Sequence, residues 1–246
     1  MKTLVARALA SRVKSGETIG LGSGSTVELA IDQIGQRIAR EGIQVFGVPT
    51  SYRVALIAAE QGIQVLSSIT ATELSWAFDG ADEVDGDLNM IKGRGAAMLN
   101  EKILARRAKN LVIIVSDDKI VEKLGTRHPI PVEVVPEAFY LVQKGLKDLG
   151  AREVQIRNSS EKYGPLVTEH NHLILDASFD DIQPALEQQI KSLTGVVESG
   201  LFINTRGMAG ATSPLVSELL VARKDAVYSV KLVKGKLVES KLELAL

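Results

Sequence analysis

Three segments concentrate side chains able to hold an anion or move a proton. The run Asp79-Gly80-Ala81-Asp82-Glu83-Val84-Asp85 sets four carboxylates just after the apolar stretch Trp76 to Phe78. That is the carboxyl end of an expected strand, where loops of open parallel sheets form their ligand crevice. Read alone, the run fits equally well a solvated acidic turn or a loop for a hard metal ion. The segment Lys92 to Lys102, KGRGAAMLNEK, couples a cationic glycine turn to a helix expected from about Ala96. Its backbone amides and Lys92 suit an anionic substrate, and Glu101 falls on the second helical turn. Taken alone, Glu101 is as well explained as a surface carboxylate near Lys102 and Arg106. The third segment, Gly20 to Thr26, reads GLGSGST at a strand-to-helix junction. Glycines permit the tight backbone while free amides and the hydroxyls of Ser23, Ser25 and Thr26 face a bound anion. A connection that merely turns the chain fits the same residues.

Several chemistries are disfavoured. A P-loop requires Gly-Lys followed by Ser or Thr, whereas this loop ends Gly24-Ser25-Thr26. A dinucleotide fingerprint requires a third glycine where Ser25 stands, and an acidic ribose contact where the second strand instead leads to Thr50 and Ser51. His128, His170 and His172 lie outside the acidic run, and the latter two flank Asn171 in an expected hairpin turn, so a metal site is not expected. Lys plus Arg total 29 against 30 Asp plus Glu, which gives no whole-chain attraction to nucleic acid or to an anionic membrane. The absence of cysteine excludes disulfides and thiolate chemistry and suits a reducing compartment. Charges at Lys2, Arg7, Arg12 and Lys14 interrupt any secretory apolar region, and no stretch approaches a membrane span. A cytoplasmic enzyme is the expectation.

The elements that position these segments alternate. Leu4, Val5, Ala8, Leu9 and Val13 recur at helical spacing before a strand from Thr18 to Leu21. Val27, Ala30, Ile31, Ile34 and Ile38 mark a second helix, followed by strand-like Gln44 to Val48. A helix from Tyr52 to Gln61, then strands at Ile63 to Leu66, Ser75 to Phe78 and Leu111 to Val115, continue the pattern. Such alternation predicts an α/β fold, a Rossmann-like, mainly parallel sheet covered by helices. After Pro129 the order becomes strand (Val132 to Val135), helix (Glu137 to Leu149), strands (Glu153 to Arg157, Leu166 to Thr168, Leu173 to Leu175), helix (Ile182 to Leu193) and strand (Val196 to Ile203). That order predicts a smaller α+β, ferredoxin-like domain. The expected division is residues 1–129 and 205–246 for the large domain and 130–204 for the small one. Within Thr205 to Lys224, Met208, Leu215, Val216, Leu219 and Leu220 suit a core or a subunit contact, and core packing is the expectation. Lys234-Gly235 is expected to turn a final hairpin.

GLGSGST, DGADEVD and KGRGAAMLNEK, with Ser116-Asp117-Asp118-Lys119 and Pro131-Val132-Glu133-Val134, resemble the type A ribose-5-phosphate isomerase family in order and spacing. The similarity runs to about Asn204, and relative to compact members of the family Thr205 to Lys224 looks like an insertion. The resemblance implies metal-free, cofactor-free interconversion of D-ribose 5-phosphate and D-ribulose 5-phosphate through an enediolate, in the non-oxidative pentose phosphate pathway. It implies that Ser23, Gly24, Ser25 and Thr26 contact the substrate and its phosphate, with Asp79, Gly80, Ala81 and Asp82, with Lys92, Gly93, Arg94 and Gly95, and with Lys119. Glu101 matches the family's proton acceptor, while Asp79, Asp82 and Lys92 match groups for ring opening and electrostatic stabilisation. A homodimer or homotetramer is implied too. Two other classes stay open from the residues: a sensor that grips a sugar phosphate without turning it over, and another phosphosugar isomerase or an amino-sugar deaminase. The sensor is opposed by Lys92 and Glu101, which it would not need, and by the single helix expected before Thr18, which leaves no DNA-binding helix-turn-helix there.

Overall fold

A computed structural model describes residues 1–161, 163–204, 215–224, 226–233 and 236–243. The chain divides into two units, Met1–Ala81 with Ile103–Lys119 and Thr212–Leu246, and Asp82–Lys102 with Ile120–Ala211.

The first unit is built on an eight-stranded sheet. From one edge its strands are Lys236–Lys241, Ala226–Val233, Glu218–Arg223, Leu111–Ser116, Trp76–Asp79, Thr18–Leu21, Phe46–Pro49 and Gln64–Val65. The last six run parallel, and the two remaining pairings, both made by Ala226–Val233, are antiparallel. Leu111–Ser116 is buried at every position, as expected of a parallel strand covered on both faces. Helix Ser25–Glu41 packs Val27, Ala30, Ile31 and Ile34 against Ile19, Leu21, Phe78 and Ile114 in one apolar core. Gly42, at φ 68°, ends that helix in the left-handed conformation and returns its N–H to Ile38. Ser51 starts the helix Tyr52–Glu60 by accepting from the Val54 N–H. Counting the parallel strands in chain order, the first and fourth lie side by side at the centre and the chain winds outward from each. This is the doubly wound order, and its switch point falls between Thr18–Leu21 and Trp76–Asp79.

One expectation fails here. Glu218–Arg223 is no part of an insertion: it is a parallel strand of this sheet, with Leu219 opposite Ile113 and Leu220 opposite Ile114. Its apolar run is that of an interior strand, and Leu215, Val216, Leu219 and Leu220 are buried. Met208 and the rest of 205–214 lie outside the described residues, as do Lys234 and Gly235, although the strands flanking that pair do form an antiparallel hairpin.

The second unit carries a four-stranded antiparallel sheet in the order Val196–Ser199, Ile130–Val134, Leu173–Ser178, Glu153–Ile156. Helices Phe139–Asp148 and Ala185–Lys191 complete a β-α-β-β-α-β chain path, the expected ferredoxin-like arrangement. Val132, Val134, Val142, Leu146, Leu175 and Ile190 form its core. Leu166 to Thr168, expected as a strand, makes only the isolated bridge Val167 to Leu173. A short ribbon, Leu201–Phe202, Met90–Ile91 and Glu83–Val84, belongs to this unit as well. The division therefore differs from the boundary expected at residue 129. Phe202 pairs with Met90, and the Glu83 carboxylate accepts the N–H groups of Gly125, Arg127 and His128, so residues 82–102 and 120–129 join the second unit. Contacts of this kind, between residues distant in sequence, leave no compositional mark at a boundary.

Candidate active site

In the first unit, the switch point holds the glycine loop. Gly22-Ser23-Gly24 leaves the strand Thr18–Leu21 and opens the helix Ser25–Glu41, with Gly24 at φ 111°. A Cβ added to Gly22 would lie 2.2 Å from the Asp79 carboxyl carbon, so only glycine lets the loop close on that side chain. Asp79, buried at the end of the neighbouring strand, accepts at Oδ1 from the N–H of Ser23 at 2.9 Å and of Gly80 at 2.7 Å. The Ser23 hydroxyl meets that of buried Thr50 at 2.6 Å. Asp79 thus fixes the direction of the loop that precedes the helix. The first-turn N–H groups of such a helix have no carbonyl within it, and its positive end favours an anion.

Two cations stand at this carboxyl edge. The Lys2 ammonium donates to the Ser25 hydroxyl at 2.8 Å. Lys119 closes the short helical turn Asp117–Lys119, directly after the strand Leu111–Ser116. Asp118 lies between influences from both: the Ser116 hydroxyl bond and the charges of Lys119 and Lys2 outweigh burial and hold its carboxyl below the ordinary 3.8. Ser23, Gly24, Ser25, Thr26, Asp79, Gly80, Ala81 and Lys119 all lie just beyond the carboxyl ends of three adjacent parallel strands.

The second unit assembles the remaining expected residues. The Lys92 Nζ lies 3.2 Å from the Glu101 Oε2, and both side chains are only 4% exposed. Lys92 follows the ribbon strand Met90–Ile91 and is anchored by its N–H to the Gly200 carbonyl at 2.8 Å. Its ammonium stands 5.5 Å from the centre of the Phe202 ring, whose face also lies 4.6 Å from the Lys102 ammonium. Glu101 sits in the first turn of the helix Met98–Arg107. Gly93, at φ 93°, turns the chain, and Asp82 accepts the Arg94 N–H at 3.1 Å. Arg94 and Gly95 are exposed. A buried carboxylate beside a fixed ammonium is an arrangement for taking a proton while a cation holds the negative charge that develops.

Residues 46–212 match the family model for ribose 5-phosphate isomerase A (phosphoriboisomerase A). The chain is 43% identical over 210 residues to ribose-5-phosphate isomerase A of Methanothermobacter thermautotrophicus, covering 85% of this chain and 92% of that one. The chain belongs to the ribose-5-phosphate isomerase A family. Solved members superpose closely. That of Methanocaldococcus jannaschii gives a TM-score of 0.86 at 37% identity, over 94% of this chain and 97% of that one. A D-ribose-5-phosphate isomerase in complex with phospho-erythronic acid gives 0.86 at 33% identity with the same coverage.

Against this family background, some site features were not legible from sequence. Thr50, Lys2 and Arg157 were not singled out. Thr50 ends the second parallel strand and carried a signal in its position alone. Lys2 precedes the loop by a whole helix and strand, and nothing local marks it. Arg157 donates to the Gly93 and Arg94 carbonyls from a strand end some sixty residues away. His170 and His172 flank Asn171, at φ 63°, in the expected turn: His170 Nε2 lies 3.0 Å from Asn100, while the partly buried His172 turns inward, with Nδ1 3.0 Å from the buried Glu133 carboxylate. Among the described residues no group of three or more His, Cys, Asp or Glu is placed to hold a metal ion. Nor is any described helix long and apolar enough to cross a membrane.

Proposed function

We propose that this chain interconverts D-ribose 5-phosphate and D-ribulose 5-phosphate through an enediolate, with Glu101 carrying the proton and without a metal ion. The observation that carries the reading is the buried Lys92–Glu101 pair in a chain of this family. Ser23, Gly24, Ser25 and Thr26 hold the phosphate at the helix start, and Lys2 and Lys119 add positive charge. Asp79 and Asp82 relay hydroxyl protons as the sugar ring opens, and Gly80, Ala81, Gly93, Arg94 and Gly95 line the substrate. Glu101 takes the proton from C2 of the open aldose. The released electron pair forms the C1–C2 double bond, and charge moves to the former carbonyl oxygen. Lys92 stabilises that oxygen, a preorganised contact worth about 3 to 4 kcal/mol of barrier. The C2 hydroxyl proton passes to the C1 oxygen, leaving the negative charge on the C2 oxygen. Glu101 then returns its proton to C1 as that charge collapses to a carbonyl at C2, and the ketose results. A positioned acid-base group typically contributes about 100- to 10,000-fold.

Phospho-erythronic acid, the ligand of one solved relative, supports the reading by its chemistry. It has a phosphate at one end and a planar, negative carboxylate at the other, the charge distribution of an enediolate phosphate. The reaction places the chain in the non-oxidative pentose phosphate pathway. A cytoplasmic homodimer or homotetramer completes the proposal, resting on the absence of cysteine and on the family resemblance.

The test is to incubate purified, chelator-treated protein with ribose 5-phosphate in deuterated water. Ribulose 5-phosphate carrying deuterium at C1 is the expected product. Sugar that binds without conversion, or activity that returns only on adding a divalent ion, would overturn the assignment.

A further inference from the structure

Arg157 stands just past the strand Glu153–Ile156, largely buried, and bonds in two directions. Its Nε donates to Asp176 Oδ2 at 2.9 Å and its Nη2 to Asp176 Oδ1, a two-point fork on one carboxylate. Its Nη1 donates to the carbonyl of Gly93 at 2.8 Å and to that of Arg94 at 3.0 Å. All of these groups belong to the second unit. The guanidinium therefore grips two successive peptide carbonyls of the cationic turn while Asp176 holds it in place. The Gly93 carbonyl also accepts the Ala96 N–H at 3.0 Å, closing the turn.

A trans peptide is planar, and its C=O and N–H point in opposite directions. Fixing the Gly93 carbonyl toward Arg157 sends the Arg94 N–H the other way, and that N–H donates to Asp82 at 3.1 Å. Fixing the Arg94 carbonyl likewise turns the Gly95 N–H away from the guanidinium. Gly93, at φ 93°, packs against Met98, whose Cβ would lie 2.8 Å from an added Cβ, but neither it nor Gly95, where an added Cβ would meet nothing within 4 Å, offers a side-chain polar group to orient the peptide planes. Among the described residues, the side-chain bonds to these two carbonyls come from Arg157, beside the Ala96 N–H on the Gly93 carbonyl.

We propose that Arg157, steadied by Asp176, is a positioning residue that sets the two peptide planes of the Gly93–Gly95 turn, so that one N–H holds Asp82 and the next faces a substrate oxygen. The proposal rests on the isomerase reading above and adds to it the residue that orders the turn. A lysine cannot replace this arginine, because a point cation lacks the planar fork that spans a carboxylate and two carbonyls at once. Small misplacement of donors at a reacting centre costs about 100-fold in rate.

The test uses the full chain with ribose 5-phosphate as substrate and four variants: Arg157→Gln, Arg157→Lys, Asp176→Asn and Glu101→Gln. Arg152→Gln, which removes an exposed arginine bonded to Asp180, serves as the control. Arg157→Gln and Arg157→Lys are expected to lose about 10- to 100-fold in kcat/KM, mostly in kcat, with thermal unfolding of Arg157→Lys near that of the parent. Asp176→Asn is expected to lose less, and the control nothing. Should Arg157→Gln fail to fold, Arg157→Lys carries the decision. Parental kcat and KM in folded Arg157→Lys, with Glu101→Gln inactive, would sink the inference and leave the isomerase reading standing. Near-normal turnover of Glu101→Gln would overturn that reading, and with it this role for Arg157. A loss in Arg157→Lys that falls wholly in KM would also contradict a positioning role in the reaction itself.

Discussion

The Lys92 ammonium lies 3.2 Å from the Glu101 carboxylate, with both side chains withdrawn from water. Each group makes the other's burial tolerable. Taking a carboxylate and an ammonium out of water costs several kcal/mol per ion, and their attraction offsets this only when the two are close and well oriented. In the proposed reaction the pair supplies a base and a cation for the oxygen that becomes negative.

Removing one partner should expose that cost. Lys92→Met is expected to destabilise the protein by about 3 to 5 kcal/mol, because it removes the ammonium beside a buried carboxylate. The double variant Lys92→Met with Glu101→Leu should recover most of that loss while remaining inactive. Urea unfolding of the three proteins checks this. Equal stability of parent and single variant would mean that the pair is hydrated in solution.

The glycine loop makes a separate demand. Gly22→Ala places a methyl 2.2 Å from the Asp79 carboxyl and 2.6 Å from its Cα, so either the side chain or the strand end must shift. Overpacking of this kind costs about 1 to 3 kcal/mol. The Ser23 and Gly80 N–H groups would lose their common acceptor, so affinity for ribose 5-phosphate should fall by about 10-fold or more. Isothermal titration on the Glu101→Gln background measures that affinity without turnover. Unchanged binding would remove Asp79 from the shaping of the loop.

An acid-sensitive contact lies outside the site. Burial pushes the Glu218 carboxyl up, but bonds from Arg12 and Ser229 and the charges of Arg12 and Lys231 outweigh it and leave it below the ordinary 4.5. A carboxylate lowered on folding contributes stability that is present above its unfolded value and is lost as pH falls through its folded value. Glu218→Gln should therefore be less stable than the parent at pH 7, with the gap closing below about pH 4.5. Thermal unfolding across pH 3 to 8 decides it, and a gap constant over that range would contradict the assignment.

Much of this was legible because local chemistry and burial agreed. The continuous apolar run Leu111 to Val115 and the spacing of Val27, Ala30, Ile31 and Ile34 announced a buried strand and a one-faced helix, and both formed. Glu218–Arg223 was less legible: the family resemblance reaches only to about Asn204, and an apolar run bounded by Glu218 and Arg223 says nothing of which strand it pairs with. In the fold, Glu218 is bonded by Ser229 of the neighbouring strand and by Arg12, which follows the helix Lys2–Ala10. Lys92 and Glu101 were found through their motif, but their 3.2 Å approach was not, since it depends on the ribbon that anchors Lys92 to Gly200. Arg157 was invisible for the same reason: its partners at Gly93 and Arg94 are backbone carbonyls, which carry no side-chain signal.

The role of Glu101 is tested most directly by following deuterium entry from solvent into ribose 5-phosphate and ribulose 5-phosphate with Glu101→Gln beside the parent protein. The parent should exchange and convert the sugar, whereas the folded, substrate-binding variant should lose both exchange and turnover by about 100- to 10,000-fold. Exchange at the parental rate in Glu101→Gln would contradict the account, for some other group would then be moving the proton.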